Sequence, residues 1–428
     1  VADSTIDVTQ PFDRPQKLLK IIDNGDGTFL LSVQMSIDPA LLSSFNTLET
    51  AQLTPIMQLD FIHGTNSQTG VSTVANSATV DTDSGRLRLQ SGTNSAGSAI
   101  FNSRKPSKYR PGQGITARFT PIFTTGVASS TQIWGAGNVN DGYFFGYNGT
   151  AFGILHRHGG TDTWTTQANW TGDKVNNAEV SFVYDPTKGS PVMIKYPFLG
   201  FGNVTFWIKH PTVNKWVLVH TLEYSNTVNT IQVSNPSLFF YGQALNDGNT
   251  SNLTMYCGSV GFFLSGERSF VGAPKWAWDN NKTGITTETN ILTLKNATTY
   301  NGVTNRGLIR LNSVSLASSA ASGLSFFRFK INTTLGGSPS YTTINGTTGD
   351  AGVTITSGNS IVSYDVAGTT ITGGTYQWGH SIDNPGSSGD VNLIPYDLFI
   401  APGEIGTFSG FSTITAGLGL TINWSEDI

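Results

Sequence analysis

His156 and His158 flank Arg157 at the end of the strand-like run GILHRH. Alternate residues of a strand point the same way, so both imidazoles are expected on one side. Two such nitrogens make a weak metal site alone, but repeated about a three-fold axis they would close an octahedral one. Hydrolysis of a glycosidic bond needs two convergent carboxylates. Asp141, Asp162, Asp173 and Asp185 lie in one region, yet the pairs Asp141-Gly142, Gly172-Asp173 and Asp185-Pro186 read as turn chemistry. Nucleophilic and nucleotide chemistry find no motif: there is no G-x-S-x-G elbow and no Walker loop, and Pro111–Gly114 precedes a strand instead of a helix. The lone Cys257, in MYCGSV, reads as a small buried hydrophobe. No catalytic residue and no cofactor is therefore assigned, and the chain is expected not to be an enzyme. A secreted glycoside hydrolase is kept as the further alternative.

Aromatic side chains are the best case for binding. Tyr143, Tyr147 and Trp164 in the central region, and the pair Trp276 and Trp278 in WAWDNN, are candidate contacts for a glycan or a neighbouring subunit. Aromatic rings offer an apolar face to sugar C–H groups, and a surface rich in Asn, Thr and Ser supplies hydrogen bonds. Core packing is the competing role for each of these rings.

The elements that must position these residues are strands. Apolar–polar alternation with Gly, Asn and Pro punctuation runs through the chain, and no dozen residues show helical spacing. KLLKII and TFLLSVQM flank DNGDG as an N-terminal hairpin within residues 1–50, and Asp38–Phe45 is the best short helix. A larger β-sandwich is expected over 51–271, from strands that include GITARFTPIF, EVSFVYD and MYCGSVGFFLSG. Within it, Asn148-Gly149 predicts a hairpin with a type I′ turn. Pro, Asn and Gly cluster in 272–284, read as a linker, and a smaller sandwich follows over 285–428. The fold class is all-β, with two jelly-roll-like sandwiches behind a short N-terminal segment.

Composition narrows the partners. Only 12% of the 428 residues are charged, the formal net charge is −4, and no Lys/Arg stripe exists, so neither nucleic acid nor an anionic membrane is an expected partner. No run approaches the ~18 apolar residues of a membrane-spanning helix. Val1 is the residue expected if an initiator Met were trimmed from a cytosolically made protein, a trimmed longer precursor being the alternative. The ten N-x-[ST] sequons, Asn148, Asn169, Asn252 and Asn423 among them, are about what an Asn- and Thr-rich chain reaches by chance.

Phe101–Trp164 carries YRPGQG before a strand, TTGVA before a second, and the hairpin DGYFFGYNGTAFGILHR. This order of elements resembles a module in structural proteins of tailed bacteriophages and of some large DNA viruses of algae. The C-terminal YDLFIAPGEIGTFSG and GLTINWSEDI resemble the terminal strands of the same kind of protein. The resemblance implies a non-enzymatic virion component of a tail, fibre, baseplate or capsid surface, assembled in the host cytoplasm. Its implied partners are copies of itself, a trimer first, and other virion proteins. The alternative from a different class is a carbohydrate-binding or receptor-binding module that contacts host glycans.

Overall fold

A computed structural model describes residues 53–427, apart from 179–181, 214, 268–272, 346–358, 368–369 and 384–387, together with the backbone of three N-terminal strands. Those three, Ser4–Ile6, Leu19–Asp23 and Phe29–Val33, form an antiparallel sheet in chain order. Leu19 pairs with Val33 and Asp23 with Phe29, the hairpin that KLLKII and TFLLSVQM predict. The short helix predicted at Asp38–Phe45 lies outside the described residues.

The chain is all-β. In the first sandwich, a seven-stranded sheet runs in the order Thr161–Thr166, Ala151–His158, Gly142–Asn148, Ser130–Gly137, Phe239–Asn246, Ser98–Ser103, Gly70–Ala75. An eight-stranded sheet packs against it, with Ile115–Ile122 and Thr254–Ser265 at its centre. Alternation decides what faces inward. In Arg86–Gln90, Leu87 and Leu89 are buried while Arg88 turns out to pair with Asp81 at 2.7 Å. Rings from the two sheets interlock: Phe145 meets Phe206 edge-on at 5.4 Å and Phe119 lies 5.9 Å from Phe240.

The second sandwich stacks a five-stranded sheet, which includes Lys275–Ile285, Ala416–Asp427 and Leu308–Ser318, on a six-stranded one centred on Thr289–Asn296 and Ile405–Ser412. Its core, including Leu311, Phe329, Leu418 and Trp424, shares no residue with the first.

Three expectations are corrected. Most of the expected linker is a strand: Lys275–Ile285 pairs with Ala416–Asp427 from Lys275↔Ser425 to Ile285↔Ala416. It lies at the sheet edge, where one side needs no partner, so Asn and Lys are tolerated in it. EVSFVYD forms no strand among the described residues, only the bridge Asn176↔Val183, and the unforeseen strand Val192–Tyr196 takes the central position beside Ile115–Ile122. The hairpin at Asn148 forms as predicted, but Asn148 pairs with Ala151, so Gly149 and Thr150 make the turn. Only Gly149, at φ 58°, has the positive φ that a type I′ turn requires of both central residues.

Candidate functional site

His156 and His158 do lie on one side of their strand, with ring centroids 6.4 Å apart. Both rings bond the same backbone atom, the Gln232 carbonyl, at 2.7 Å from His156 Nε2 and 2.9 Å from His158 Nδ1. The other His156 nitrogen meets Tyr224 Oη at 3.1 Å, and Tyr143 stacks on the ring at 5.6 Å. Burial pushes the His156 pKa down. Among the described residues no three His, Cys, Asp or Glu side chains gather as a metal set. In this chain the pair anchors the segment around Gln232. Buried Gln232 extends that anchor, accepting from Tyr143 Oη at 2.6 Å and donating from Nε2 to the Gly202 carbonyl.

The aromatic candidates divide by face. Tyr143 and Tyr147 point into the first core, where Tyr147 packs edge-on against Phe152 at 5.1 Å, so neither is a glycan platform. Burial also raises the pKa of the Tyr143 phenol. Trp164 lies on the opposite, outer face of the seven-stranded sheet, half-buried against Ile133, Phe144, Leu155 and Tyr241. Trp276 and Trp278 pack half-buried on the second core, with Trp278 4.5 Å from Tyr364. They join a sheet to its own sandwich.

All four central aspartates are engaged, Asp173 and Asp185 in local turns and Asp141 and Asp162 through partners on other segments. Asp185 accepts from Thr187 N and Oγ1, and Asp173 from Val175 N at 2.6 Å. Asp162 holds Arg157 by two bonds of 2.6 and 3.0 Å. Asp141 accepts from Gly159 N at 3.2 Å and Ser234 N at 2.9 Å, which pins two loops together. Cys257 is buried, and burial raises its thiol pKa to about 12, so it is inert at neutral pH.

The site that sequence alone did not locate is a cleft of about 610 Å³ between the sandwiches. Its floor is the outer face of the seven-stranded sheet at Val71, Asn102 and Phe239. The first sandwich adds the loops 138–141 and 234–237, which Asp141 ties together, and the second adds Thr304–Arg306 and Ala401–Glu404. Arg104 crosses the seam, bonding Glu404 through Nε at 2.9 Å and Nη2 at 2.7 Å. Glu404 also accepts from Asn332 Nδ2 at 3.3 Å and Ala401 N at 2.9 Å, so both its oxygens are engaged. Arg306 donates from Nη1 to the Ser234 carbonyl across the same seam. Two cleft atoms are buried without a protein partner, Asn102 Oδ1 and Arg306 Nε. Asn102, Arg306 and Glu404 are far apart in the chain, and their meeting depends on how the sandwiches dock.

No family model matches the chain, and no curated protein matches it. Solved structures similar to it include the carbohydrate recognition domain of Emp47p, at 13% identity over 50% of this chain and 98% of that one, with a TM-score of 0.32. A legume lectin-like domain from Entamoeba histolytica is similar at 12% identity over 48% of this chain and 95% of that one, TM-score 0.29. An endo-1,3-beta-glucanase from Streptomyces sioyaensis is similar at 10% identity over 50% and 97%, TM-score 0.36.

Proposed function

We propose that this chain is a non-enzymatic carbohydrate-binding protein that holds a saccharide in the cleft between its sandwiches. The observation that carries this reading is the lining of that cleft. Neutral amides and hydroxyls, from Asn102, Asn138, Asn235, Ser237 and Thr304, are interspersed in it with apolar groups, the Phe239 ring, Val71, Val139 and Pro402 among them. Amides donate and accept in one plane, which suits vicinal sugar hydroxyls, and a ring beside them suits the apolar face of a pyranose.

Hydrolysis is the weaker reading of the same cleft. Its two carboxylates are Asp141, which accepts from two backbone amides, and Glu404, which is locked to Arg104. Neither is placed to hand a proton to a leaving group. The virion resemblance of Phe101–Trp164 supplies a setting for the proposal: a particle protein, assembled with its own copies and other virion proteins, that contacts glycans through this cleft.

Binding to an immobilised panel of neutral oligosaccharides tests the reading. Asn102→Ala and Phe239→Ala are each expected to weaken the best binder about tenfold with circular dichroism unchanged. Full affinity in both variants would move the site elsewhere, and a panel without any binder would end the proposal.

A further inference from the structure

The cleft has a neighbour. A second recess, of about 280 Å³, lies on the far side of Arg104 and Glu404 and shares Val71 with the first. Its own lining is again neutral and polar, with Ser67 and Ser72 from the first sandwich and Asn332, Thr375 and Gln377 from the second. A further bond beside it, from Gln68 Nε2 to the Tyr376 carbonyl at 3.0 Å, joins the sandwiches there too. The two recesses therefore follow one seam, with the Arg104–Glu404 pair as the partition between them.

That partition is rigid. The guanidinium makes two parallel bonds to the carboxylate and lies 4.7 Å from the Phe399 ring, while Asn332 and Ala401 complete the carboxylate's bonds. A ligand confined to one recess would leave unused part of a seam that offers neutral polar side chains on both sides of the pair. We infer that the ligand is a linear oligosaccharide that runs along the seam and crosses the Arg104–Glu404 pair, with sugar units in both recesses. This rests on the saccharide-binding reading above and adds the shape of the ligand to it. A chain of repeated units matches repeated amide and hydroxyl lining, whereas a single terminal sugar or a compact branched cap would leave the second recess unused.

The experiment uses the full chain and linear gluco-, manno-, galacto- and N-acetylglucosamine oligosaccharides of graded length, from monosaccharide to hexasaccharide. Calorimetric titration of the best-bound series should show affinity that rises with length by at least ~tenfold before it levels off. The double variant Thr375→Ala/Gln377→Ala, in the second recess only, should weaken the longest member about tenfold and the shortest less than about twofold. Affinity that is flat from monosaccharide to hexasaccharide, with the double variant silent, overturns the linear ligand and leaves the saccharide reading standing. Absence of binding at every length and sugar type overturns that reading, and the inference falls with it.

Discussion

His220 shows how one side chain sets the response of this protein to acid. It is buried in the first sandwich, where its Nδ1 accepts from Thr171 N at 3.2 Å, and burial pushes its pKa down to about 4. In the unfolded chain an imidazole titrates near ~6.5. Between those values the unfolded chain takes up a proton that the folded one refuses, so stability is complete above ~6.5 and falls as pH drops toward 4. His156 is shifted the same way by its own burial. The thermal midpoint should therefore decline from pH 7 to pH 4, and His220→Gln should flatten that decline. An unchanged slope in the variant would mean that His220 does not carry the effect. Local chemistry of this kind was partly legible beforehand. Turn aspartates such as Asp185 and the inert Cys257 follow from their immediate neighbours. Tyr143 and Tyr147 did not, because alternation says which residues share a face and leaves open which face is the core.

Strands and turns were legible where one rule dominated. Alternation located Ile115–Ile122 and Thr254–Ser265, and glycine located the hairpin at 149. Alternation failed at Lys275–Ile285, where Pro, Asn and Gly beside two tryptophans read as a linker, because an edge strand is released from half of the usual pairing. The seven-stranded sheet adds a constraint that composition hides among 49 glycines. A Cβ at Gly135 would collide with the Tyr143 carbonyl oxygen, and one at Gly146 with that of Gln132. Both contacts are with the backbone of a neighbouring strand, which cannot swing aside as a side chain can. These glycines let Ser130–Gly137 and Gly142–Asn148 pair closely beneath the Phe144 cluster. Gly135→Ala should lower stability by roughly 1–3 kcal/mol, as overpacking does. Denaturant titration reads this directly, and a midpoint equal to the parent's would show that the sheet can relax around the methyl group.

At the scale of the molecule, the cleft exists because two separate cores meet along a mostly polar seam, with a small apolar patch at Ile56, Leu264 and Leu308. Among the described residues no hydrophobic one belongs to both cores, and the bridges across the seam include Arg104–Glu404 at 2.7 Å, Lys105–Asp397 at 2.6 Å and Arg110–Asp427 at 3.1 Å. None of these pairs is visible in sequence, since each joins residues about three hundred positions apart through the docking itself. Two cores with a polar seam should unfold as two cooperative units, and the second sandwich, with the smaller core, should melt first. The seam stabilises only the unit that unfolds first, because by the time the other unfolds its partner is already gone. Arg104→Ala strips Glu404 of its cation in a largely buried position, a loss on the order of 3–5 kcal/mol. Calorimetry should therefore show the first transition shifted down while the second stays in place. If the cleft takes a saccharide as proposed, that ligand should raise the first transition in the parent, because the cleft exists only in the docked arrangement. A single transition that moves as a whole would instead make the two sandwiches one cooperative unit, and the cleft a fixed feature of it.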